Sequence, residues 1–244
     1  MFSDSGIIEG SVLLVHSSMA RTFKRESCGP KDVIDHILNI LGPEGTLLLP
    51  LFNFDFTKGT PFDFATTPSH MGAFAEAGRT WPGAVRTGHP IYGFAAIGAQ
   101  ANRFEGVNNR SGYGADSPFA ILRELDGQIA VIGLPDQNAM TFYHHVEEML
   151  DIPYRYHKNF TALYTGQDGV TSPQTYSIFV RDIENSVLTS VDRMGERLWS
   201  TGLYAGERPG VGHGMRTIGA RVLFDEVASV IKAGKAKEFL YAVE

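Results

Sequence analysis

One cysteine in 244 residues excludes an internal disulfide framework and any zinc site built on several thiolates. No apolar run is long enough to span a bilayer. The opening residues, MFSDSGIIEG, lack the basic region and apolar core of a secretory signal. Positive charge is scarce as well: 21 lysines and arginines stand against 27 aspartates and glutamates, leaving a net charge of −6. That balance argues against nucleic acid, which calls for a basic surface, and suits a cationic substrate. Neither the HExxH helix of zinc proteases nor the GxSxG elbow of serine hydrolases occurs. The expectation is a cytoplasmic protein with no metal, nucleic-acid or membrane partner. A homo-oligomer is allowed by the sequence but not specified by it.

What is present is a chain long enough, at 43% hydrophobic residues, to bury a substantial core. SVLLVHSS (residues 11–18) is an apolar run ending in small polar residues, as a buried parallel strand ending at a site would be. Pro30 opens the amphipathic stretch KDVIDHILNIL, with proline in the first turn of a helix. TLLLPLF (46–52) is a second buried strand, followed by a long loop from Asn53 to Ser69 and a short helix around MGAFAEAGR. YGFAAIG (92–98) and QIAVIGL (128–134) complete the run of strands. This alternation predicts an α/β fold, a mostly parallel central sheet flanked by helices, with its ligand site beyond the carboxyl ends of the strands. After about residue 155 the pattern changes. TALYTG and QTYSIFVRDI read as a hairpin around GQDG. ARVLFDEVASVIKAG reads as a helix capped by Gly234. We expect one domain, a core over about 10–155 and an antiparallel β-rich elaboration over about 156–244.

The segment TFYHHVEEML (141–150) holds the most chemistry. On a helix, His144 meets Glu147 or Glu148 and His145 meets Glu148. A carboxylate one turn from an imidazole fixes its tautomer and makes a general base. A solvated ion-pair face is the competing structural reading. His16, Ser17 and Ser18 end one strand, Asn53 and Asp55 follow another, and the His144 helix starts just past a third, so all converge on one rim.

Four stretches taken in order resemble the aminoglycoside 3-N-acetyltransferase family, a fold unrelated to the GNAT acetyltransferases. They are VHSS (15–18), TPSHMGAFAEAGRTWPGAVRTGHP (67–90) with the following GFAAIG, GADSPFAILRELDGQIAVIGL (114–134), and TFYHHVEE. The resemblance spans roughly Ser11 to Phe160. It implies acetyl transfer from acetyl-coenzyme A to an amine of a sugar-like acceptor, an aminoglycoside or an endogenous or nucleotide-linked amino sugar. The family's Thr-x-x-His-x-x-Glu pattern falls on Thr141, His144 and Glu147. Its coenzyme site falls on Ser17 and Ser18, then His89, Pro90, Gly93 and Phe94. A serine common in the family is replaced here by Gly93.

Arg21, Lys24 and Arg25 follow the first strand and are candidates for the coenzyme phosphates. Asp55, Asp63 and Glu76 are candidates for a cationic amino sugar, while Arg155 and Lys158 are candidates for an acidic group such as a nucleotide diphosphate. The three cations after the first strand have an ordinary basic-loop reading beside them, and the three carboxylates a solvated-loop one. Cys28 precedes a helix, where a thiolate is favoured, but has no histidine beside it in sequence and lies outside the family motifs. His16 and His36 read as structural, Tyr92 and Phe94 as core or tunnel lining, and the glycine-rich run around His213 as a turn. The alternatives are a non-catalytic or regulatory coenzyme-A-binding member of the same fold, or a hydrolase using the His/Glu pair.

Overall fold

The computed structural model describes residues 6–18, 28–208 and 214–244. Arg21, Lys24, Arg25 and His213 lie outside the described residues. The first half runs β1 (Val12–Ser17), α1 (Pro30–Leu41), β2 (Thr46–Pro50), β3 (Phe62–Asp63), α2 (Ala73–Arg79), β4 (Val85–Arg86), β5 (Phe94–Gly98), α3 (Pro118–Glu124), β6 (Gln128–Ile132) and α4 (Phe142–Met149). It continues with the paired strands β7 (Arg155–Thr165) and β8 (Thr171–Arg181), then β9 (Val187–Thr189) and α5 (Asp192–Ser200). The chain closes with β10 (Ala205–Gly206), β11 (Met215–Gly219), α6 (Ala220–Lys232), α7 (Ala236–Phe239) and β12 (Tyr241–Val243).

The main sheet has the order β10-β11-β6-β1-β2-β5-β4. β1 pairs parallel with both β2 and β6. These three strands are buried on both faces, because a central parallel strand is covered by helices above and below. Alternation of side chains sorts them into two cores. Leu14, Leu48, Ile129 and Val131 face the larger core beneath α4 and α6. Leu13, Val15, Leu47, Leu49 and Ala130 face the smaller one, closed by Val33, Ile34, Ile37 and Leu41 of α1 and Phe74 of α2. The α/β class with flanking helices is as expected, with parallel pairing confined to the centre of the sheet. β5 runs antiparallel to β2, with Phe94 opposite Pro50. The rim therefore collects the carboxyl ends of β1, β2 and β6 together with the amino end of β5.

Local signals hold where chemistry is local. Pro30 begins α1 and Asp32 accepts the Gly29 amide at 2.7 Å. Ser117 caps α3 ahead of Pro118. Beyond α6, the Gly234 amide (φ +72°) bonds the Ile231 carbonyl and the Lys235 amide bonds that of Val230. This crossed pair satisfies carbonyls a helix end would leave bare. β7 and β8 form the expected hairpin, paired from Arg155↔Arg181 to Thr165↔Thr171. Its Ala162, Tyr164, Tyr176, Ile178 and Phe179 join the larger core. Among the described residues no helix is long and apolar enough to cross a membrane.

Candidate active site

α4 starts directly beyond the β6 turn, and Asp136 in that turn anchors it. The buried Asp136 carboxylate accepts the hydroxyls of Tyr143 at 2.6 Å and Tyr204 at 2.7 Å and pairs with Arg216 of β11. Tyr143 is thereby drawn inward, and the next residue, His144, is turned toward an open cleft of about 380 Å³.

The two histidines of α4 part company. His144 Nδ1 lies 2.7 Å from Glu147 Oε2. His145 is fully buried, its Nδ1 at 2.7 Å from the Tyr113 carbonyl and its ring among Phe119, Phe142 and Phe224. Glu148 accepts the Ser111 hydroxyl at 2.8 Å. Of the pairings that helical spacing allows, the one formed is His144 with Glu147.

Glu147 is 1% exposed and meets two hydrogen-bonding groups and a cation. Besides His144, Tyr154 donates its hydroxyl to Oε1 at 3.0 Å and Arg155 Nε stands 2.7 Å from Oε2. Burial pushes the Glu147 pKa up, but the Arg155 charge and the His144 and Tyr154 hydrogen bonds outweigh it, and the net shift is down. Burial, then the Arg155 charge, lower His144, and Glu147 opposes them only in part. The result is a neutral imidazole beside an ionised carboxylate. With Nδ1–H donated to Glu147, the proton acceptor is Nε2 (a tautomer assigned from the hydrogen bond).

Arg155, a candidate for an acidic group on the acceptor, is instead paired with Glu147. It is buried, and its remaining nitrogens donate to the Phe179 carbonyl at 3.2 Å and the Thr189 hydroxyl at 3.0 Å. The expected loop carboxylates are also engaged. Asp55 pairs with Lys58 at 3.0 Å and His70 at 3.2 Å. Asp63 accepts the amides of Ala65 and Thr66 at 2.8 Å each. Glu76 holds Arg79 and the Ser69 amide. None of the three lines the His144 cleft. Thr141 is the residue preceding α4, half-buried and likewise outside the cleft lining. Lys158 lines it, with Tyr92, Tyr113, Phe54, Tyr156 and Arg181.

A run of aromatic rings joins this cleft to the strand ends. Centroid spacings are 5.3 Å from His144 to Tyr113, 4.6 Å on to Tyr92 and 4.7 Å on to Phe52. His16 follows at 6.3 Å. Ser17 lines a narrower cleft there with His16, Met71, Phe74 and Leu134, and the Ser18 amide donates to Ile132. His89 is buried, its Nδ1 accepting the amides of Tyr92 at 2.9 Å and Ile91 at 3.2 Å, and burial lowers its pKa to about 3. It shapes the turn into β5. Phe94 is core, edge-on to Phe52 and Phe119. At Gly93 a Cβ would stand 3.1 Å from the His89 carbonyl, a tight fit for the serine common in the family. Cys28 packs against the smaller core and His36 is on the exposed face of α1. Among the described residues no group of three His, Cys, Asp or Glu is placed to hold a metal.

Tyr154, Asp136 and Arg181 carry no motif that marks them in sequence. The only signal is that YRY follows α4 closely, which puts Tyr154 and Arg155 within reach of Glu147.

Comparisons with known proteins identify the family. Residues 14–232 match the aminoglycoside 3-N-acetyltransferase family. Aminoglycoside N(3)-acetyltransferase IV of Salmonella sp is 34% identical over 165 residues, 66% of this chain and 61% of that protein. The matched part thus spans about three-fifths of that relative's length. Among solved structures, aminoglycoside acetyltransferase AAC(3)-Xa superposes with a TM-score of 0.80 at 25% identity, over 93% of this chain and 88% of that one. AAC-IIIb in its binary complex with CoASH shares the fold at a TM-score of 0.79 and 22% identity, over 98% and 94%. With the match running from β1 through the His144 helix to α6, the chain belongs to the aminoglycoside 3-N-acetyltransferase family.

Proposed function

We propose that this protein is an N-acetyltransferase that moves an acetyl group from acetyl-coenzyme A to an amine of an amino sugar, with His144 as general base. The observation that carries the reading is the 2.7 Å contact between His144 Nδ1 and a buried, ionised Glu147. It leaves His144 Nε2 as a basic nitrogen in a cleft wide enough for a small molecule. When bound, acetyl-coenzyme A supplies a thioester carbonyl and a thiol leaving group, as the CoASH complex of the related AAC-IIIb suggests.

His144 Nε2 takes a proton from the amine as its nitrogen bonds to the carbonyl carbon, and returns it to the sulfur as the C–S bond breaks. Glu147 stays ionised throughout and balances the imidazolium, while Arg155 and Tyr154 hold the carboxylate in place. Ser17 and Ser18 are the residues assigned to the coenzyme. Ser17 lines a cleft of about 50 Å³ with Met71, Phe74 and Leu134, space for the tip of an arm of amides and methylenes and not for its length.

The test is thiol release from acetyl-coenzyme A across aminoglycosides and nucleotide-linked amino sugars. His144→Ala is expected to lower kcat by about 10²–10⁴-fold. Undiminished turnover in that variant overturns the mechanism.

A further inference from the structure

The charges lining the His144 cleft do not match a polycationic acceptor. Among its described lining residues are Arg155, Lys158 and Arg181, and no aspartate or glutamate. Glu147, beneath the surface, neutralises Arg155 at 2.7 Å. The other two cations have no carboxylate partner among the described residues. Arg181 donates to the Val187 carbonyl at 2.9 Å, and Lys158 Nζ lies 5.8 Å from the centre of the Phe160 ring. Arg181 is directly opposite Arg155 in the hairpin register, and with Arg155 neutralised by Glu147 the charges left to the cleft are those of Arg181 and Lys158. They suit an anion, and a polyamine finds no carboxylate among the described lining residues. The nearby loop carboxylate, Asp55, is already held by Lys58 and His70.

Flat surface accompanies the charge. Phe54 and Tyr156, 38% and 40% exposed, line the same cleft, and bare aromatic faces are what nucleobases stack on. Resting on the acetyl-transfer reading above, we infer that the acceptor is an amino sugar esterified to a nucleoside diphosphate. Its phosphates lie against Lys158 and Arg181 and its amine reaches His144. The phosphates of coenzyme A are the other source of the same anionic chemistry, and the experiment separates the two.

Thiol release from acetyl-coenzyme A is measured on the full chain with UDP esters of 2-, 3- and 4-amino sugars, the corresponding free amino sugars, and gentamicin. At least one UDP ester is expected to exceed its free sugar and gentamicin in kcat/KM. Lys158→Glu is expected to remove about 10- to 100-fold of that kcat/KM, the scale of a charge-assisted hydrogen bond. The loss falls on the acceptor KM while the acetyl-coenzyme A KM stays, and Lys158→Arg retains most of the preference. Lys158 is on the surface, so an unchanged melting temperature separates binding from folding. Gentamicin equal to or better than every UDP ester overturns the inference, as does a Lys158→Glu loss confined to the acetyl-coenzyme A KM. If no acceptor releases thiol, calorimetric titration with the same UDP esters decides. Binding weakened by Lys158→Glu keeps the nucleoside-diphosphate sugar as the ligand of this cleft and sinks acetyl transfer, whereas no binding by the unaltered protein overturns the inference.

Discussion

Arg155 Nε stands 2.7 Å from Glu147 Oε2, the same oxygen that takes His144 Nδ1. One buried carboxylate oxygen is thus shared between a permanent cation and the His144 imidazole. The cation keeps the carboxylate charged, and its field adds to burial, the larger cause, in holding the imidazole neutral.

Replacing Arg155 with methionine removes one of the two causes that depress His144, the other being burial. The acid limb of the kcat/KM profile, where His144 loses its basic form, is expected to move to higher pH. Breaking a buried pair by removing one partner also costs about 3–5 kcal/mol. Denaturant titration and a pH–rate profile measure the two effects, and an unmoved acid limb contradicts the electrostatic assignment.

Glu147→Gln keeps the shape but withdraws the negative charge that balances the imidazolium. A fall of about 10²-fold in kcat is expected, with little change in either KM, on the scale of general-base catalysis. A larger effect on KM than on kcat, read from initial rates, places Glu147 in substrate binding instead.

Three buried histidines set the acid stability. Burial lowers His16 and His145 to about 4 and His89 to about 3. Their folded pKa values lie below the unfolded value near 6.5, so unfolding takes up protons. The stabilisation is complete above pH 6.5 and is lost as pH falls toward the folded values. Each contributes a slope of about 1.4 kcal/mol per pH unit in that window. His89→Asn retains an acceptor for the Ile91 and Tyr92 amides and is expected to remove one proton from the slope between pH 6 and 4.5. Chemical denaturation at stepped pH measures it.

Asp136→Ala strands the Arg216 guanidinium and the hydroxyls of Tyr143 and Tyr204. A loss of about 3–5 kcal/mol is expected by denaturant unfolding. Asp136 touches neither His144 nor Glu147, so the acid limb of the pH–rate profile is expected to stay where it is.

The elements legible from residues alone are those whose causes are local. Central strands buried on both faces read as unbroken apolar runs at β1, β2 and β6, and α1 announced itself by Pro30 and its apolar spacing. The direction of β5 was not legible, because an apolar run is the same in either sense and the connection alone decides. Net charge was a poor guide to the site. The chain is acidic at −6, yet Lys158 and Arg181 line the cleft while Asp55, Asp63 and Glu76 are held by close neighbours in sequence. Charge summed over a chain carries no information about which side chains share a surface.

By itself the sequence determined that a histidine and a carboxylate meet on one helix, since residues three and four apart share a face, and its motifs picked out His144 with Glu147. Tertiary structure decided the rest. It turned His144 outward and His145 inward, brought Arg155 from β7 onto Glu147, and tied Asp136 to Arg216 across 80 residues. Contacts of that kind follow from how strands are ordered in a sheet, which no spacing along the chain encodes.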